Sequence, residues 1–184
     1  PENHRRLGEI GAAELEQAMA ALGVTEWEHL GYHDSDMMGP PGNRDPRTFW
    51  QANLDEAIGR LVWMVRRYRP DVMTTYNDFG GYGHPDHIQA HRVAMYGVAL
   101  AEAPSFRPDL GAAHSVAKVY WTAFPKGVLR AGIEELRAAG ETTGFAAMDP
   151  DDLQFGIDDD LVTAAIDGSG FYEHKLNAMR AHAT

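Results

Sequence analysis

The run Phe79–His91, FGGYGHPDHIQAH, brings His84, His87 and His91 together with Asp86. Imidazole nitrogens are good ligands for Zn²⁺, and a nearby carboxylate can orient a ring or handle protons. His87 and His91 stand four apart, so they share one side of a helix that starts near Pro85. Gly80, Gly81 and Gly83 allow a sharp backbone turn that exposes the imidazoles to a ligand. From the residues alone two other readings stay open. A lone histidine near a helix terminus is usually structural, and glycines can also cradle phosphate. The G-x-G-x-x-G spacing fails, because Asp86 falls where its last glycine would stand and a carboxylate repels phosphate. His91, one turn further on, is expected to support the site or face the helix rather than ligate a metal. No G-x-S-x-G motif occurs, so serine hydrolysis has no support.

These groups need elements to hold them. Ile10 to Leu22 has helical spacing with Gly23 as its stop, and Trp27 to Tyr32 reads as a short strand leading into His33-Asp34-Ser35. Gly39 to Pro46 is loop by composition. Asn53 to Tyr68 is a second amphipathic helix, with Arg66, Arg67 and Arg69 near its end, where cations suit the helix dipole. Asp71 to Tyr76 reads as a buried strand, followed by the Gly-rich loop and a helix to about Glu102. Ala117 to Ala123 is another strand and Val128 to Ala139 another helix. A short strand is expected at Leu153 to Ile157, and helix from Leu161 onward with a soft spot at Gly168-Ser169-Gly170. Trp27, Trp50, Trp63 and Trp121 are expected in the core or an interface. The acidic stretches Asp149–Asp152 and Asp158–Asp160 lack calcium-loop spacing and suit a solvated surface with capping duty.

Helices alternating with short apolar strands predict an α/β fold, a Rossmann-like layered arrangement with a mostly parallel sheet flanked by helices. In such sheets ligands bind at the carboxyl ends of strands, where the Asp34 and Gly-rich loops both lie. The chain has 184 residues with 27 acidic and 16 basic side chains, a net charge of −11 that gives no footprint for nucleic acid or anionic lipid. Cysteine is absent, which removes disulfides and thiolate chemistry and fits a cytoplasmic setting. No membrane span or signal peptide is evident. A single domain over residues 1–184 is expected, cut at both ends, since the sequence opens on Pro1 and stops inside a helical pattern.

The run GGYGHPDHIQAH resembles the second signature of the LmbE-like (PIG-L) family of zinc-dependent N-deacetylases. Its nearest likeness is to the mycothiol-pathway branch, which holds the N-acetylglucosaminyl-inositol deacetylase and the mycothiol S-conjugate amidase. Further likeness lies in Leu7-Gly8-Glu9-Ile10, Ala21-Leu22-Gly23-Val24, Tyr32-His33-Asp34-Ser35 and Ala181-His182-Ala183-Thr184. The resemblance implies that His87 is a zinc ligand and that His84 stabilises the charged intermediate. It implies that Asp86 orients a histidine, that Tyr82 polarises the amide oxygen, and that Asp34 hydrogen-bonds sugar hydroxyls. The implied reaction is attack of zinc-activated water on an N-acyl carbonyl of a small amino-sugar conjugate.

The departures are specific. The family's A-H-P-D-D-E motif, with two further zinc ligands and the general base, is absent, so the remaining ligands are expected upstream of Pro1. The sheet is then expected to lack its first strand, and the fragment to be inactive alone. Gly11 stands where relatives usually carry a substrate-contacting arginine. Within the branch, Gly83 favours deacetylation of a GlcNAc-inositol. The alternatives are the S-conjugate amidase and a non-catalytic sugar-binding domain that has lost its metal site. A homo-oligomer is compatible with the sequence.

Overall fold

The computed structural model describes residues 2–153 and 155–183, which divide into two compact units. The first comprises residues 1–31 and 164–184. Helix α1 (Glu2–Ala21) starts earlier than Ile10 and stops just before Gly23, as expected. There Gly23 adopts φ 72°, and the N–H of Val24 donates to the Met19 carbonyl at 2.9 Å in a Schellman-type stop. Within this unit α1 packs on the C-terminal helix Tyr172–Ala181, with the small residues Ala18 and Ala178 buried.

Two expectations fail here. Residues 27–32 form no strand among the described residues, since strand character needs a neighbouring strand as well as a suitable sequence. His29 instead uses its Nδ1 to accept from the N–H of Gly31 at 3.0 Å, a local turn bond that competes with a ladder. Helix also does not run from Leu161. Residues 162–168 are irregular, since β-branched residues and the Gly168/Gly170 pair all disfavour helix, which begins only at Tyr172.

The second unit spans residues 32–163. Helix α2 (Leu54–Tyr68) is capped by Asn53, whose side chain accepts from the N–H of Glu56, and it closes at Arg69 in a left-handed conformation with φ 51°. Strand β1 (Val72–Tyr76), a turn α3 (Gly80–Gly83), helix α4 (Pro85–Glu102) and strand β2 (Lys118–Thr122) follow. The strands pair in parallel from Val72↔Lys118 to Tyr76↔Thr122, so α4 is the crossover of a β-α-β unit. The expected α/β class is therefore observed, as a small parallel sheet flanked by helices. Among the described residues the sheet has two strands. That explains why β1 is half-exposed rather than buried, with Val72 at 49%.

The core lies where α2 meets α4, around Ile58, Val62, Val65, Val93 and Ala101. Gly97 allows the close approach, since a Cβ there would sit 2.7 Å from Leu61 Cδ2. Arg66 sits in the last turn of α2 as expected, but its side chain does more than serve the helix dipole. It is 5% exposed, and its guanidinium donates to the carbonyls of Leu100, Ala101, Ala103, Arg107 and Gly111. It thus satisfies the open end of α4 rather than of its own helix.

Helix α5 (Lys126–Ala138) buries Ile133. The acidic stretches behave as expected: Asp151 pairs with Arg130, Asp158 with Lys126, and Asp159 accepts from the N–H of Gly127. The strand expected at 153–157 reduces to one bridge, Pro125↔Ile157, and residue 154 lies outside the described residues. Trp27, Trp63 and Trp121 are not in the core. Trp63 lies under Arg67 and Trp50 under Arg92, each ring stacked by a cation.

Candidate functional site

The Gly-rich segment is a tight turn. The Asn77 side chain accepts from the N–H of Gly81 at 2.8 Å, and Gly81 and Tyr82 leave helical geometry. Gly80 adopts φ 67°, and a Cβ there would lie 2.7 Å from the backbone nitrogen of Ile88. Only glycine lets this turn rest on the first turn of α4.

His84 caps α4. Its Nδ1 accepts from the N–H of Asp86 at 3.2 Å, so neutral His84 carries its proton on Nε2. That nitrogen lies 4.0 Å from Asp34 Oδ2, with the imidazole 12% and the carboxylate 73% exposed. Asp34 also accepts from the N–H of Asp36 at 2.8 Å, and Asp36 holds φ 60°.

Asp86 joins this loop to the helix. One oxygen accepts from the N–H of Ser35 and the other from the N–H of Trp50, each at 2.8 Å. Ser35 is fully buried. The buried Asn43 holds the same loop: its side-chain N–H groups reach the carbonyls of Ser35 and Met37, and its oxygen accepts from Gly39.

His87 donates from Nδ1 to the Gly80 carbonyl at 3.1 Å, because a carbonyl can only accept. Its Nε2 therefore carries a lone pair. The ring lies parallel to Tyr76, with centroids 4.0 Å apart and planes 7° apart, and it stacks on His84 at 4.7 Å. Tyr82, 46% exposed, meets His87 edge-on at 5.2 Å. Burial lowers the His87 pKa, with the Gly80 carbonyl opposing it, so the ring favours the neutral form that a metal requires.

All five expected site residues, Asp34, Tyr82, His84, Asp86 and His87, thus gather at the start of α4. Among the described residues, ligand atoms of Asp34, His84 and Asp86 lie within 4.8 Å of one another and could hold a metal ion. His87 is outside that trio, although its ring covers His84. The hydrogen bonds rank the donors. His84 Nδ1 is occupied by the helix cap and both Asp86 oxygens by amides, whereas His87 Nε2 is uncommitted to the turn.

His91 behaves as a supporting residue. Its Nδ1 lies 2.9 Å from the Tyr76 carbonyl, and Trp121 meets it edge-on at 5.0 Å. Sequence reasoning missed Tyr76, Ser35, Trp50 and Asn43. The position of Tyr76, last in a strand that feeds the glycines, was the available signal. The amides of Ser35 and Trp50 have none, since every residue but proline carries one.

Residues 1–97 match the family described as PIG-L, GlcNAc-PI de-N-acetylase. Among curated proteins, the chain is 55% identical over 188 residues to the 1D-myo-inositol 2-acetamido-2-deoxy-alpha-D-glucopyranoside deacetylase of Geodermatophilus obscurus, covering 100% of this chain and 64% of that protein. It is 54% identical over 184 residues to deacetylase 1 of the same description from Catenulispora acidiphila, covering 97% of the chain and 57% of the relative. A Streptomyces scabiei deacetylase of that description is 49% identical over 192 residues, covering 100% and 59%. The chain thus spans 57–64% of the length of these relatives.

Proposed function

The chain belongs to the PIG-L family of de-N-acetylases, and from that premise we propose that it is the greater part of a zinc-dependent amidohydrolase removing the acetyl group from a GlcNAc-inositol conjugate, the mycothiol-pathway reaction. The observation that carries this reading is the convergence of His84, His87, Tyr82 and Asp34 at the start of α4. The names of its relatives point to the substrate class.

Zinc, when bound, supplies Lewis acidity and a more acidic water. In this reading His87 holds the metal through Nε2, with Nδ1 anchored on the Gly80 carbonyl, the arrangement that fixes a ligating ring. Asp34 and Asp86, whose carboxylates group with His84, would be the further acidic residues available to it. His84 would donate a hydrogen bond from its Nε2–H to the acyl oxygen as negative charge develops there. Helix α4 adds the positive end of its dipole at the same spot. Tyr82, exposed on the turn, brings its hydroxyl to that oxygen. Asp34 accepts from sugar hydroxyls, for which its exposure suits it. Asp86 keeps loop and helix in register.

The test is zinc content and acetate release from the GlcNAc-inositol conjugate, measured on the protein that carries this chain and on its His87→Ala variant. Loss of both in the variant supports the assignment, and retention of both overturns it. Cleavage of a thiol conjugate without acetate release would replace the deacetylase with the amidase.

A further inference from the structure

We propose that Tyr76 is a positioning residue for His87, acting through its ring plane and held in turn by His91. The inference rests on the reading of His87 as a ligand and deepens it. Three observations carry it. Tyr76 and His87 are stacked face to face at 4.0 Å with 7° between planes. A ring stacked against two flat neighbours, Tyr76 at 7° and His84 at 29°, has its rotation about χ2 restricted. In the stacked position Nδ1 reaches the Gly80 carbonyl, so the stack and the hydrogen bond select the same orientation.

The backbone of Tyr76 is itself fixed. His91 donates to its carbonyl at 2.9 Å, one helical turn beyond His87 on the same face of α4. Trp121, on β2, closes against His91 and donates its indole N–H to Met95 Sδ at 3.3 Å. A line of contacts therefore runs from β2 through His91 and the last residue of β1 to the His87 ring. The two helix histidines use the same nitrogen for the same purpose, each anchoring Nδ1 on a backbone carbonyl. His91 anchors on the end of the strand and His87 on the turn that follows it.

Its consequence is a single tautomer and a single ring orientation of His87 before any metal arrives. Nitrogen-15 NMR of the imidazoles in the metal-free chain reads this directly. In the wild type, His87 should show one tautomer, protonated at Nδ1. Tyr76→Phe, which keeps the plate and removes only the hydroxyl, should retain that signature. Tyr76→Leu should lose it, giving exchange between both tautomers, while circular dichroism reports the fold. A wild-type His87 already averaging between tautomers overturns the proposal without any variant. So does a folded Tyr76→Leu whose His87 keeps one tautomer. Zinc retained by His87→Ala would remove the ligand reading while leaving this result untouched, so the two fail separately.

Discussion

The carboxylate of Asp86 accepts a hydrogen bond from the backbone N–H of Ser35, 51 positions away in the chain, at 2.8 Å. Its second oxygen does the same for Trp50. One side chain at the start of a helix thus ties down both ends of the loop that carries Asp34. A carboxylate has acceptors and no donors, which suits two amides that have nothing else to bond.

Asp86→Ala should therefore destabilise the second unit by about 2–4 kcal/mol, because two backbone donors lose a charged acceptor. Asp86→Asn should cost less, since its one oxygen serves one of the amides. Urea unfolding at neutral pH measures both. Equal stability of Asp86→Ala and wild type would contradict the tie.

Arg66→Met should be more damaging than its position near a helix end suggests. It leaves the carbonyls of Leu100, Ala101, Ala103, Arg107 and Gly111 without their shared donor, and a loss of about 3 kcal/mol or more follows. Arg66→Lys should recover only part of it, because an ammonium lacks the planar fork. Thermal melts followed by circular dichroism give the ranking.

Asp45 should stay ionised into unusually acidic solution. The Arg47 side chain hydrogen-bonds its carboxylate, the Arg47 backbone N–H adds a second bond, and both hold its pKa well below the ordinary range. A depressed pKa means that the pair's contribution is fully present above the ordinary Asp range, about pH 4, and is lost as pH falls through the lower folded value. Carboxyl ¹³C shifts at about pH 3 should show Asp45 ionised where ordinary aspartates are mostly protonated. Arg47→Ala should raise it only part of the way, because the backbone N–H at that position remains.

Gly80→Ala should cost about 1–3 kcal/mol, from φ 67° and from a Cβ pressed against the backbone of Ile88. The NMR signals of His87 should move with it, because the displaced carbonyl is the one that His87 bonds. Unchanged stability and unchanged His87 shifts would refute the role given to this turn.

Much of this was readable beforehand, for identifiable reasons. Helices α2 and α4 announce themselves by spacing, cap and proline, and the strands β1 and β2 by short apolar runs between turn signals. The histidine cluster was legible because its members are close in sequence. Residues 27–32 misled because strand character depends on a neighbour, which no local pattern encodes. Arg66 misled because its partners lie 34 to 45 positions away. Asp34 was joined to the histidines by resemblance and by a strand expected at 27–32, which does not form. The bond that brings its loop to them runs from a backbone amide to Asp86.

The parallel pairing of Tyr76 with Thr122 also sets when the site comes into being. Parallel strands can meet only after the whole crossover between them has been laid down, so their pairing is a late, long-range event in folding. His84 and His87 sit at the entrance of that crossover, and the ring against which His87 rests is the last residue of the first strand. The step that pairs β1 with β2 therefore also fixes the strand end on which the His87 ring rests.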